Sequence, residues 1–329
     1  MNIAVTGGTG CMGRPLVEKL VTNGHHIRLL VMPDEYVRDD LNRINFIRGD
    51  INNANSLKEL LKGVEIVFHL AGKVHESNVY DLNYLGAFGR INIEGTDLLL
   101  KECRNSGVKR VVFYSTVGVY GKDGDFHGDE TSPCKPLTAY AKSKIEAESI
   151  VLKANVNGGT EGVVLRFPIA YGPYDRGNIA RLIKTLSKGL FVYFGDGLAA
   201  RSMISSFNAA EAAYLAGLNK EAAGKIYCVT DDLDHTVKQL IDTILGALGI
   251  DRKPLRMSLG LARTAGKLGD LISNTITKSF PLNSAVINKL STPLTFSCKK
   301  IKSELGYCPS DRFRKDIEDE VGWVLGRDK

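Results

Sequence analysis

The sequence predicts an α/β fold in which a doubly wound parallel sheet is followed by a smaller C-terminal α/β unit. Three observations carry that prediction. Short apolar runs alternate with amphipathic stretches through the first half of the 329 residues. A glycine turn, Thr6-Gly7-Gly8-Thr9-Gly10-Cys11-Met12-Gly13, joins the first run to the first amphipathic stretch. Beyond about residue 170 the alternation loses its regularity. The expected division is residues 1–170 and residues 171–329, with some chain crossing back.

Ile3–Val5 is the first predicted strand. The helix after the glycine turn places Leu16, Val17 and Leu20 on one face and stops at Asn23-Gly24. Ile27–Val31 and Ile44–Ile47 are the next strands, and Leu57–Leu61 is helical. Val64–Leu70 reads as a buried strand ending in Ala71-Gly72. A helix is expected near 87–106, carrying Ile91, Ile93, Leu98, Leu99 and Leu100. Val111–Tyr114 leads into Ser115-Thr116, then come the helix holding Tyr140 and Lys144 and the strand Gly162–Leu165. In the second half, Ala180–Leu186, Ala209–Gly217 and Val237–Leu245 read as helices. Leu259–Ile272 is amphipathic, which suits a helix packing its apolar face within the second unit.

The chemistry begins at Tyr140-Ala-Lys-Ser-Lys144. A phenol and an ammonium four residues apart on a helix face the same way. A tyrosine titrates near ~10, and a neighbouring cation is expected to lower that value towards the working range. Such a pair suits proton exchange with a hydroxyl that becomes a carbonyl. The glycine turn adds the second half of the argument. Strand, glycine turn and helix in that order form a dinucleotide-binding fingerprint. Gly7 supplies the tight turn and Gly10 lets a pyrophosphate approach the helix N-terminus. Gly13 lets the helix pack closely.

Seven segments occur in one order: the glycine turn, Gly49-Asp50, His69-Leu70-Ala71-Gly72, Asn92-Ile-Glu-Gly95-Thr96, Ser115-Thr116-Val-Gly-Val-Tyr120-Gly121, Tyr140-x-x-x-Lys144 and Arg166-Phe-Pro-Ile-Ala-Tyr171-Gly172-Pro173. Together they resemble the extended short-chain dehydrogenase/reductases, in particular the NAD-dependent epimerase/dehydratase family that acts on nucleotide sugars. Leu294–Pro309 looks like the closing segment of such enzymes. The resemblance implies a Rossmann-type sheet and a catalytic set of Thr116, Tyr140 and Lys144. It implies a cofactor site formed by Gly7, Gly10, Cys11, Met12, Gly13, Asp50, Ile51, Ala71, Gly72, Tyr140, Lys144 and Pro168. It also implies substrate contacts from Thr116, Asn178 and Arg201, with helix capping and a surface position as the alternatives for the last two.

Two departures refine the expectation. Dehydratases of this family carry an acidic pair after the Ser-Thr; Val117 and Gly118 stand here, so elimination of water is not expected. Ile169 occupies a position where sugar-nucleotide enzymes often have Asn, which points towards a hydrophobic carbonyl substrate. The reading is a nucleotide-sugar epimerase, a UDP-sugar 4-epimerase in the first instance. The alternatives are a nucleotide-sugar 4-keto-reductase, a carbonyl or steroid-type reductase, and a non-catalytic dinucleotide-binding protein. NAD and NADP stay open: the second strand ends in Val31-Met32-Pro33, and Asp34, Arg14 and Arg28 are the nearby charged candidates.

Composition limits the rest. The formal charge of +6 is dispersed, so nucleic acid is not an expected partner. The cysteines at 11, 103, 134, 228, 298 and 308 form no C-x-x-C pair and no metal-type cluster, so no metal is expected. No apolar run approaches ~20 residues, so no membrane span is expected. A cytoplasmic, reduced protein is the expectation, and the resemblance implies a homodimer through the helices near 92–106 and 140–154. Among the histidines, His69 is expected to be structural, His75 to lie in a loop within reach of substrate, and His127 to be a solvated loop residue.

Overall fold

The structure is a computed structural model that describes residues 1–35, 43–74, 86, 88–122, 124–154, 159–189, 192–251, 255–275 and 284–326. His75 lies outside them. In chain order the elements are β1 (Asn2–Thr6), α1 (Gly13–Thr22), β2 (His26–Val31), β3 (Ile44–Arg48), α2 (Ala54–Leu60) and β4 (Ile66–His69). A π-helical turn, Gly89–Glu94, runs into α3 (Gly95–Asn105), followed by β5 (Arg110–Thr116), a 3-10 turn (Val117–Tyr120), β6 (Phe126–Gly128), α4 (Ala139–Lys153) and β7 (Glu161–Phe167). Then come β8 (Ile169–Tyr171), α5 (Asn178–Ser187), β9 (Val192–Phe194), β10 (Ala200–Ser205), α6 (Ser206–Leu218), β11 (Ile226–Cys228) and β12 (Asp234–Thr236). The last elements are α7 (Val237–Leu248), β13 (Leu255–Met257), α8 (Leu259–Thr275), α9 (Ser284–Ser291), β14 (Leu294–Phe296), α10 (Lys299–Leu305) and α11 (Phe313–Val324).

Seven strands form one parallel sheet in the order β11-β7-β5-β4-β1-β2-β3. The order reverses between β1 and β4, the point at which doubly wound sheets bind ligands at their carboxyl ends. Strand alternation assigns the two faces. Ile3 and Val5 of β1 pack against Leu16 and Leu20 of α1 and the alanines of α6. Ala4 and Val67 face the other way, against Leu57, Leu60, Leu99, Leu100, Ala147 and Val151 of α2, α3 and α4.

The sequence-based strand Val64–Leu70 shortens to Ile66–His69, and the helix near 87–106 divides into the π-helical turn and α3. The seventh strand, β11, arrives from the second half of the chain and pairs with β7. A smaller sheet, β12-β10-β14-β6 with β8 beside β10, lies under a separate apolar core. That core includes Tyr171, Ile183, Ile241 and Ile317 of β8, α5, α7 and α11. Pro168 is the single residue between β7 and β8, where the chain leaves the large sheet for the small one.

Candidate active site

The glycine turn follows β1 at the reversal of strand order. Gly7 has φ +72°, and a Cβ there would stand 2.7 Å from the Ala71 backbone nitrogen. Gly13 is just as constrained, since its Cβ would meet the Gly7 carbonyl oxygen at 2.4 Å and Gly8 Cα at 2.5 Å. Gly13 thus lets α1 close on the turn itself. Gly10 differs: a Cβ there would meet only the Gly7 carbonyl oxygen, at 3.7 Å. The protein's own packing does not require glycine at 10. The start of α1 is therefore uncrowded on that side. Met12, the residue before α1, gives no side-chain cap. Cys11 directs its thiol at the Gly172 carbonyl, 3.6 Å away, and burial and the nearby Asp175 push its proton affinity up.

The end of β4 is tied to this turn. Thr6 Oγ1 lies 2.7 Å from His69 Nδ1 and accepts the Ala71 N–H at 3.2 Å. His69 Nε2 lies 2.9 Å from Thr96 Oγ1. Burial, with the Lys144 charge beside it, drives the His69 pKa to about 3, so the ring is neutral and structural. Asn92, in the π-helical turn, accepts the Lys73 N–H at 2.8 Å and donates to the Lys73 carbonyl at 3.0 Å and Ser143 Oγ at 2.9 Å. Ser143 in turn donates to the Tyr140 carbonyl at 2.8 Å. Asn92 therefore fixes the strand-end loop and α4 to each other. Its segment is visible in the sequence; this bridging position is not.

Tyr140 and Lys144 lie one turn apart in the first half of α4, which Thr138 caps by accepting the Ala141 N–H at 3.1 Å. Lys144 is 4 % exposed, and its Nζ is 3.9 Å from the centroid of the Phe113 ring. A Cβ on Gly72 would come within 3.9 Å of the same nitrogen and 3.1 Å of Asn92 Oδ1, so Gly72, Asn92 and Lys144 converge. Burial drives the Lys144 pKa down to about 7, with Glu148 partly opposing it. Burial also pushes Tyr140 up to about 12. That reverses the direction expected from spacing. Desolvation of the phenol governs in the cofactor-free site.

Thr116 ends β5, and its Oγ1 accepts the Gly118 N–H at 3.1 Å, which leaves its own O–H to donate elsewhere. A Cβ on Gly118 would touch both Thr116 Oγ1 (3.4 Å) and Ala141 (3.9 Å), so the turn after β5 lies against the first turn of α4. Behind the site, Glu148 takes a two-pronged contact from Arg166 (Nε 3.0 Å, Nη2 2.6 Å) and a short hydrogen bond from Ser115.

The remaining residues spread outward. Asp50 and Ile51 follow β3; Asp50 Oδ1 accepts from the Asn52 backbone at 2.8 Å, and Ile51 is buried. Arg28 turns away from the cleft and donates to the Leu60 and Glu59 carbonyls at 2.8 and 2.6 Å, which accounts for it without a cofactor. Arg14 donates to the Thr9 carbonyl at 2.9 Å and lies over the Tyr174 ring, 4.1 Å from its centroid. Asn178 is exposed at the first position of α5; Asp175, not Asn178, caps that helix, accepting from Gly177 and Ala180. Arg201 is buried in β10, between His235 of β12 and Leu294 of β14, so the surface alternative for it fails. Ile169 is partly buried and packs against the core beside the smaller sheet. His127 is exposed on β6, 2.8 Å from Thr295 Oγ1, rather than in a loop. All six cysteines are free. Among the described residues there is no metal-type cluster, and no helix is long and apolar enough to cross a membrane.

Comparison with known proteins identifies the family. The model of the NAD dependent epimerase/dehydratase family matches residues 3–229. A UDP-glucose 4-epimerase of Vibrio cholerae is 27 % identical, covering 96 % of this chain and 93 % of its own length. A 2-alkyl-3-oxoalkanoate reductase of Stenotrophomonas maltophilia is 28 % identical, with coverages of 94 % and 95 %. A solved UDP-glucuronic acid 4-epimerase from Bacillus cereus, in complex with NAD, superposes with a TM-score of 0.78 at 20 % identity, covering 100 % of each chain. The matched segment spans the glycine turn, Thr116, Tyr140 and Lys144, and the chain belongs to the NAD dependent epimerase/dehydratase family of extended short-chain dehydrogenase/reductases.

Proposed function

We propose that the protein is an epimerase acting on a nucleotide-linked sugar, in the first instance a UDP-sugar 4-epimerase, with Thr116, Tyr140 and Lys144 as its catalytic residues. The observation that carries this reading is that Thr116 ends β5 and the turn after it lies against the first turn of α4, the helix of Tyr140 and Lys144. When bound, the nicotinamide cofactor takes and returns a hydride. Thr116 donates a hydrogen bond to the reacting oxygen, Tyr140 exchanges its proton, and Lys144 holds the cofactor ribose and tunes Tyr140. Gly7, Gly10, Cys11, Met12, Gly13, Asp50, Ile51, Ala71, Gly72 and Pro168 form the rest of the dinucleotide site. Asn178 and Arg201 hold the nucleotide-sugar, and the working unit is a homodimer. Val117 and Gly118 bring no acid next to Thr116, which sets the reaction apart from dehydration.

Reduction of a keto group is the second reading, favoured by the burial that holds the Tyr140 phenol well above its ordinary value. A neutral phenol is ready to give a proton to a carbonyl oxygen. The oxidising half of an epimerisation needs its acidity raised by a cation beside it. The test is stoichiometric: incubate the enzyme with UDP-sugars and a catalytic amount of NAD. An equilibrated pair of epimers supports the first reading. Product that appears only with equal consumption of NADH or NADPH replaces it with the second.

A further inference from the structure

Glu320 of α11 is fully buried, far along the chain from every residue assigned above. Its Oε2 accepts the Gly172 N–H at 2.8 Å, while Oε1 has no hydrogen bond of ordinary geometry. Gly172 opens the segment 172–177 between β8 and α5. That segment is held in uncommon backbone conformations: Gly172 has φ +132° and Tyr174, a residue with a side chain, has φ +69°. Such conformations persist only where the surroundings over-determine them. Glu320 is one restraint. Asp175 is another, through its bonds to Gly177 and Ala180 at 2.8 and 3.2 Å. The ring of Trp323, also on α11, is a third, 5.7 Å from that of Tyr174.

The other side of the segment meets the glycine turn. Gly172 O lies 3.6 Å from the Cys11 thiol, and the Tyr174 ring carries the Arg14 guanidinium. The segment is thus a strap between α11 and the glycine turn. We infer that Glu320 is a positioning residue that fixes the 172–177 strap against the glycine turn and so slows release of the dinucleotide. The inference rests on the cofactor site proposed above.

The chemistry around Glu320 is consistent. The ionisable groups that act on it are Asp175 in the strap and Asp316 on its own helix, the latter paired with Arg312; Cys11 faces it from the turn. Burial and these acids push Glu320 up to about 9, so it is a neutral acid at pH 7. A neutral acid can accept from Gly172 with one oxygen and donate with the other to the Asp175 carboxylate. Above pH about 9 the same group becomes an anion facing Asp175.

The experiment is stopped-flow displacement of bound NADH, or NADPH if that binds, by excess oxidised cofactor, read by fluorescence. Glu320→Gln reproduces one acceptor and one donor, so its release rate at pH 7.5 stays within about twofold of wild type. Glu320→Ala removes both and raises the rate by about tenfold or more, as expected when a buried hydrogen bond is removed. The wild-type rate rises above pH about 9, and Glu320→Gln abolishes that rise. Equal release from wild type and Glu320→Ala overturns the inference, as does an alkaline rise that survives in Glu320→Gln. Wild-type protein that binds neither reduced cofactor overturns the site reading and the inference with it. Circular dichroism of each variant keeps a folding defect distinguishable from a loosened strap.

Discussion

The Lys144 ammonium nitrogen lies 3.9 Å from the centroid of the Phe113 ring, in a 4 % exposed position. An aromatic face offsets part of the cost of burying a cation, but only part. The folded pKa falls to about 7 from an ordinary 10.5. Between those values the unfolded chain binds the proton and the folded one does not. Stability therefore rises with pH from about 7 to about 10.5, and the burial penalty is complete below 7. Lys144→Met should stabilise the cofactor-free protein by about 2–4 kcal/mol at pH 6.5 while eliminating turnover. Urea unfolding at pH 6.5 and 9 checks this. A variant no more stable than wild type at pH 6.5 would show that the ammonium is well solvated where it sits.

Tyr140→Phe should lower turnover by about 100-fold or more with cofactor affinity nearly intact, since proton transfer is worth about 100- to 10,000-fold. Thr116→Val should cost less, because one hydrogen-bond donor is removed and the proton carrier stays. Steady-state kinetics beside calorimetric titration of the cofactor separates the two. If Thr116→Val were the more damaging change, the division of roles between the hydroxyls would be wrong.

Behind the site, Arg166 and Glu148 form a buried ion pair that also holds Ser115, the neighbour of Thr116. Replacing Arg166 by Met leaves a buried carboxylate without its cation, a change worth about 3–5 kcal/mol. Adding Glu148→Gln should recover part of the loss. A double-mutant cycle in chemical denaturation measures it, and strictly additive losses would mean that the pair does not act as a unit.

The parts of this design that were legible in the sequence are local ones. The glycine turn announces itself because Gly7 and Gly13 are required by short-range geometry around the turn. Tyr140 and Lys144 share a face because one helical turn is four residues. What escaped depends on distant chain. The three-residue strand β11 is defined only by its pairing with β7, about sixty residues earlier in the chain. Strand β6 is defined by its pairing with β14, Phe126 beside Leu294, across more than half the chain. The proton affinity of Tyr140 escaped for the same reason. Spacing shows that a lysine is near, whereas the burial that outweighs it is contributed by neighbours no local pattern names. Glu320 meets Gly172 across 148 residues.

The glycine turn supplies the sharpest test, because it separates what the fold needs from what a ligand needs. Gly13 faces backbone at 2.4 Å, so Gly13→Ala must push the Gly7 carbonyl or tilt α1. Neither is a flexible side-chain end, and Gly13→Ala should destabilise the cofactor-free protein by about 1–3 kcal/mol, the usual cost of overpacking. Gly10 has no such neighbour: its Cβ would find only the Gly7 carbonyl oxygen at 3.7 Å, an ordinary contact, and its φ is not positive. Gly10→Val should leave the unfolding midpoint within about 2 °C of wild type, as for a substitution that strains nothing. The same valine would fill the space beside the start of α1, so NAD and NADP binding should fall below detection in calorimetry. Destabilisation by Gly10→Val equal to that by Gly13→Ala would show that both glycines serve packing alone. Stable Gly10→Val protein that still binds either dinucleotide would remove the glycine turn from the cofactor site.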